Sequence, residues 1–255
     1  EADLRDRKHP NPMTARELFQ AGKLNQAVQA LNAELRSDPT DVRRRTFLFE
    51  LLCFAGEYDR AEKQLAILAE GNKQADMGAL LYRAALHAEV VRQDTFQKKD
   101  FPAGAAQAVA GTLNGEPFET LEDADPRVGA RLEVYAAGSY LWIPFQHVES
   151  IEIPPPKRLR DTIWTPALVR TGPAFKMTEL GEVLLPVLCP FSFRHADDNV
   201  RLGRLTVWEE AEDAAVPFGQ KMFLMDDEEI PFLEVRKIEF TQPQSVEPEE
   251  TESAT

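Results

Sequence analysis

From Thr14 to about Glu70 the apolar residues recur every three or four positions, the period of helices that bury one face. This predicts helices near 14–21, 24–37, 41–55 and 58–70. Thr14 and Glu17 form a capping-box signal, Ser37-Asp38-Pro39 closes the second helix, and Asp41 is placed to cap the third. A fifth helix is predicted over 75–96, with Leu80, Leu81, Ala84, Ala85, Ala88 and Val91 on one face. From Asn114 onward the helical period gives way to short alternating runs broken by proline and glycine. Strands are predicted at Tyr140–Phe145, Val148–Ile153, Trp164–Thr171, Glu182–Cys189, Leu202–Glu209, Lys221–Leu224 and Phe232–Phe240, with a short helix over Arg127–Ala137 stopped at Gly138.

The helical half repeats itself. Ala21-Gly22-Lys23-Leu24-Asn25-Gln26-Ala27, followed by Leu31, returns 34 residues later as Ala55-Gly56-Glu57-Tyr58-Asp59-Arg60-Ala61, followed by Leu65, and Leu18 and Leu52 keep the same offset. That is the period of tetratricopeptide (TPR) hairpins. Glycine ends the first helix of each hairpin in a tight turn, Leu or Tyr packs back across it, and a small Ala lets the second helix approach. The fifth helix lacks this signature and reads as a cap on the array.

The expected class is α+β: N-terminal all-α TPR-like hairpins, then a β-rich domain built as an antiparallel sheet or small barrel. The expected division is an extension over 1–12, a helical domain over 13–97, a linker over 98–113, the β-rich domain over 114–242 and a disordered acidic tail over 243–255. Lys+Arg 29 against Asp+Glu 43 gives a formal net charge of -14, which argues against nucleic acid as a partner. No apolar run is long enough for a membrane span and no signal-peptide core is evident, so a cytoplasmic protein without membrane association is expected. Cys53 and Cys189 sit in apolar runs and read as buried thiols.

Reactive constellations are sparse. Asp123-Ala124-Asp125 before Arg127 offers a carboxylate pair or cation site, against the plainer reading that Asp125 caps a helix at Arg127 while Asp123 pairs with an arginine. His195-Ala196-Asp197-Asp198 offers metal ligands, against a solvated loop with no second histidine nearby. His87 and His147 stand alone, and no nucleophile elbow, phosphate loop or dinucleotide fingerprint occurs. Arg160 and Asp161 precede Trp164, and Arg204 precedes Trp208; these read as a recognition surface or, more plainly, as tryptophans stacked by arginine within the scaffold.

The order of motifs resembles the ImpE/TagJ (SciE-type) family of type VI secretion accessory proteins. The resemblance runs through Phe47–Cys53, the repeat at Gly56–Ala61 and the helix around Tyr82–Glu89. It continues through Asp123–Gly129, Gly138–Phe145 with Trp142, Leu159–Asp161, Trp164–Ala167, Leu202–Trp208 and Gly219–Lys221. Two stretches depart from it: residues 94–113 are short for the family, and Leu188-Cys189-Pro190-Phe191 replaces its usual Arg-Tyr-Pro pattern. The resemblance implies a non-catalytic adaptor without cofactor or metal. Its implied partners are the N-terminal helix of the small sheath subunit (TssB/VipA type) and the AAA+ ATPase ClpV. By TPR analogy the partner groove is expected from Arg16, Phe19, Arg43, Thr46, Glu50, Cys53, Leu80 and His87, of which Phe19 and Cys53 are the readiest to serve as filling between repeats. Two other readings compete: a general TPR co-chaperone with a clamp of Arg16, Arg43 and Arg83, and a hydrolase in which Asp123, Asp125 and His195 converge.

Overall fold

The computed structural model describes residues 13–71, 73–104, 106–172, 175, 180–212 and 214–241. The expectations for residues 1–12 and for the tail lie outside these. The helices are α1 (Ala15–Gln20), α2 (Leu24–Ser37), α3 (Val42–Phe54), α4 (Tyr58–Ala69) and α5 (Lys73–Lys98). Local chemistry sets their ends. Thr14 accepts from the Glu17 amide at 3.3 Å while its own amide donates to the Glu17 carboxylate at 2.8 Å, and Asp41 accepts from the Arg44 amide at 2.9 Å.

The two repeat turns are built alike. Gly22 donates to the Phe19 carbonyl at 3.0 Å and Lys23 to Leu18 at 2.9 Å; Gly56 donates to Cys53 at 3.1 Å and Glu57 to Leu52 at 2.9 Å. This Schellman pattern needs a left-handed residue, and Gly22 and Gly56 supply φ of +68° and +70°. Behind the turns Leu18, Leu24, Ala27, Leu31, Leu52, Ala61 and Leu65 are buried in one core.

Only part of the predicted face of α5 is buried. Leu80, Leu81 and Val91 are exposed, while Ala79, Ala85, Leu86, Ala88, Arg92 and Phe96 are buried. The helix packs on α4 with one side and on the strands with another, so no single repeat interface sets its apolar stripe.

The strands are β1 (Gly111–Leu113), β2 (Glu116–Phe118), β3 (Leu121–Asp123), β4 (Arg131–Ala136), β5 (Ser139–Pro144), β6 (Val148–Glu152), β7 (Trp164–Thr171), β8 (Gly181–Pro186), β9 (Val207–Glu210), β10 (Ala215–Phe218), β11 (Met222–Met225), β12 (Glu228–Pro231) and β13 (Lys237–Phe240). The main sheet runs β2-β1-β13-β6-β7-β8-β4-β5 with antiparallel neighbours, beside a β12-β11-β3 sheet and a β10-β9 ribbon. Three sequence expectations fail here. The helix placed over 127–137 is a turn followed by β4, which forms a hairpin with β5 through Ala137 and Gly138, both at positive φ. Leu132 and Val134 enter the β core while Glu133 and Tyr135 are buried on the opposite face, so both faces are covered and the alternation that marks a strand is lost. The strand expected from Leu202 starts at Val207, after a short helix α6 (Asp198–Arg201) and a left-handed Gly203. The strand expected from Phe232 starts at Lys237, after a 3-10 turn.

The helical core does not stop at the helices. Tyr135, Ile163, Trp164, Leu184 and Leu202 of the β-rich half belong to it, and the other face of the sheet encloses a second core. Residues 191–204 then run along the repeat turns. Phe193 meets Tyr58 edge-on at 6.0 Å, Asp198 accepts from the Leu24 amide at 2.7 Å, and Arg204 donates to the Phe19 and Gln20 carbonyls at 2.8 and 3.1 Å.

Candidate functional site

The first helices of the two hairpins, α1 and α3, lie side by side with Phe19 against Phe47, ring centroids 5.6 Å apart. Between them runs a groove of about 580 Å³ lined by Arg16, Phe19, Gln20, Val42, Arg43, Thr46, Phe47 and Glu50, with the segment Lys157–Arg160 at its side. The structure thus brings together Arg16, Phe19, Arg43, Thr46 and Glu50. Leu80 and His87 lie elsewhere on α5, Leu80 66% exposed and His87 with its Nδ1 3.2 Å from the Gly138 carbonyl. Cys53 is buried in the core and faces a separate pocket with Tyr58, Glu89 and Trp164, and Arg83 does not line the groove.

Asp161 shapes the segment at the groove's side. Its buried carboxylate accepts from the Lys157 and Arg158 amides, each at 2.9 Å. Arg160 then turns into the helical half, donating to Glu50 at 3.2 Å and to the Tyr82 hydroxyl at 2.9 Å, with its guanidinium 4.9 Å from the Tyr82 ring centre. Burial lifts the Glu50 carboxyl above its ordinary range, and the charge of Arg160 opposes that lift. Arg204 covers the far side of Phe19 at 4.8 Å. Neither arginine stacks on its tryptophan. Both reach aromatic rings of the helical half, which makes them clamps between the halves. Trp164 is buried and donates to Glu89 at 3.0 Å, Trp142 donates to the Tyr140 hydroxyl, and Trp208 is half-exposed.

Beneath α5 the structure buries a charged cluster. Arg92, 1% exposed, grips Glu133 with two bonds of 2.7 and 2.9 Å, and Glu133 also accepts from Lys221 and, at 2.5 Å, from Tyr140. Lys221 lies 2.5 Å from Asp123, and Asp125 is held by Arg127 through bonds of 2.6 and 2.8 Å. Glu89 accepts from Tyr135 at 2.5 Å. Burial works against the charge on Glu133, but Arg92 and Lys221 outweigh it and hold its carboxyl well below the usual range. Burial pushes Asp123 up to about 6 even beside Lys221, with Glu133 and Asp125 adding to the rise. Asp125 therefore caps no helix, and Asp123 pairs with a lysine where an arginine was expected. His195 lies apart from this cluster in its partners: its Nε2 is 3.3 Å from Glu209, and its Nδ1 accepts from the Asp197 amide. Asp197 caps α6 and Asp198 holds Leu24 and Arg201. Among the described residues no group of three His, Cys, Asp or Glu side chains is placed to hold a metal.

Sequence reasoning missed Val42, Phe47, Lys157 and Arg158 at the groove. A signal existed: Lys157-Arg158-Leu159-Arg160 is a basic run in an acidic chain, directly after three prolines. It missed the buried cluster because Glu89, Arg92, Glu133 and Lys221 are far apart in sequence.

The comparisons with known proteins fit this two-part build. The ImpE protein family model matches residues 115–239, and the tetratricopeptide repeat model matches residues 18–84. A Pseudomonas aeruginosa protein described as type VI secretion system accessory component TagJ is 31% identical over 263 residues, which cover 89% of this chain and 91% of that protein. The chain belongs to the ImpE/TagJ family. A Vibrio parahaemolyticus protein of known crystal structure shares the fold, with a TM-score of 0.79, 20% identity and coverage of 91% of this chain and 99% of that one. The ImpE match begins after α5, so the family signature covers the β-rich half, and the groove residues of α1 and α3 fall largely within the repeat match.

Proposed function

We propose that this protein is a non-catalytic adaptor of a type VI secretion machine, acting in the cytoplasm. In this reading the α1/α3 groove holds the N-terminal helix of the small sheath subunit (TssB/VipA type), and the complex connects the sheath to disassembly by ClpV. Membership of the TagJ family supports the secretion role. The observation that carries the binding mode is the groove itself: apolar Phe19, Val42, Phe47 and Leu159 within a rim of arginine and lysine, on the face TPR arrays offer to a helix. The polar clusters favour an adaptor over a hydrolase. Asp123 and Asp125 are buried against Lys221 and Arg127, and His195 pairs with Glu209, so the three proposed catalytic groups are each engaged with other partners. Calorimetry with a peptide of the sheath subunit's N-terminal helix tests the reading. A Kd below about 100 μM, lost in Thr46→Trp, which fills the groove, is the expected result. Absence of binding at that concentration removes the proposal.

A further inference from the structure

The charge of the groove says more about its occupant. Arg16, Arg43, Lys157 and Arg158 line it, and among the described residues none of the four has a carboxylate within ion-pair distance. The acid in the groove, Glu50, is already matched by Arg160. The chain carries a formal net charge of -14, so a local excess of four cations runs against the molecule's own composition. Like charges gathered in one groove without close counter-ions repel one another and add little to folding, Arg43 acting on the Asp41 carboxylate only beyond ion-pair distance. Such a set suits a complementary charge outside the fold. Within this rim Val42 is 63% exposed, an apolar side chain left open at the first turn of α3.

Resting on the groove reading above, we infer that the occupant is an amphipathic helix whose apolar stripe is flanked by Asp and Glu. The backbone groups of α1 and α3 are used within their helices or in their caps. An extended segment laid here would find no ladder for its own amides and carbonyls, whereas a helix satisfies them internally. A polyanion such as nucleic acid offers the same sign of charge, but it would face the remainder of a strongly acidic surface and has no apolar stripe for Val42 and Phe47.

The test uses two synthetic helical peptides of about 18 residues with the same Leu stripe, one flanked by Glu and the other by Lys. Fluorescence anisotropy against the full chain is read at about 50 mM and about 300 mM salt, where screening differs strongly. The Glu peptide is expected to bind at least about tenfold more tightly than the Lys peptide at low salt, to lose most of that advantage at high salt, and to lose it in Arg16→Glu/Arg43→Glu. Equal affinity for the two peptides, or a preference untouched by that double variant, overturns the inference. A chain ending at Thr241 separates a second occupant, the acidic tail with Glu247, Glu249, Glu250 and Glu252. Unchanged affinity supports an external helix; a gain of about tenfold or more means the chain's own tail sits there and overturns it. The sheath peptide is run alongside. If the Glu peptide binds and the sheath peptide does not, the sheath reading fails while the inference stands. If the sheath peptide binds without regard to salt or to Arg16→Glu/Arg43→Glu, the reverse holds.

Discussion

The molecule assembles arginine, lysine and carboxylates in two places, and the two differ in what they are for. Beneath α5, buried Arg92 and Lys221 and part-buried Arg127 meet Glu89, Asp123, Asp125 and Glu133, and nearly every buried polar atom finds a partner. In the groove, Arg16, Arg43, Lys157 and Arg158 stand open to solvent, and among the described residues none has a carboxylate within ion-pair distance. A desolvated charge must be matched within the fold or it destabilises it; a solvated one is free to wait for a partner. The same residue types therefore act as mortar in one place and, in the function we propose, as a binding surface in the other.

That contrast is broken most severely from the buried side. Arg92→Met leaves Glu133 without its bidentate partner and Glu89 with one donor fewer, and should cost about 3–5 kcal/mol in urea unfolding. Next come the repeat turns, which hold the two halves together. A Cβ on Gly56 would lie 2.3 Å from the Phe193 ring and needs positive φ as well, so Gly56→Ala should cost about 2–4 kcal/mol by the same measurement. Gly22→Ala meets the movable amide of Asn199 at 2.7 Å and should cost less, about 1–2 kcal/mol.

The buried cluster also makes stability depend on pH. Its four carboxylates face three cations, and burial raises the Asp123 carboxyl to about 6. Its folded value lies above its unfolded one, so the stabilising proton is fully held below the unfolded value and lost as pH rises through about 6. Lowering the pH from 7 to 5 should add about 1 kcal/mol through this group, and Asp123→Asn should remove that slope in urea titrations at each pH. The smallest effect on the fold is expected at the groove: Arg16→Glu/Arg43→Glu should leave unfolding free energy within about 0.5 kcal/mol, because neither arginine has a buried partner to abandon.

The helical half was readable because its determinants are local. Gly22, Gly56, Thr14 and Asp41 each act on neighbours a few residues away, so spacing alone reveals them. The position of α1 and α3 follows from the same repeat, which is why Arg16, Phe19, Arg43, Thr46 and Glu50 meet in one groove. The β-rich half hides its logic. β4 is buried on both faces and carries Glu133 inside, which defeats a pattern search, and the strands β1 to β3 are too short for alternation to show. The Lys157–Arg160 edge of the groove depends on a contact between Arg160 and Glu50, 110 positions apart, and no local rule supplies it.

Hydrogen–deuterium exchange of the full chain, with and without the sheath subunit's N-terminal peptide, tests most directly where a partner sits. The account predicts added protection in α1, the first half of α3 and residues 157–160, with the exposed Leu80 and Leu81 stretch of α5 unchanged. Protection confined to α5, with the α1/α3 groove exchanging as before, would contradict it.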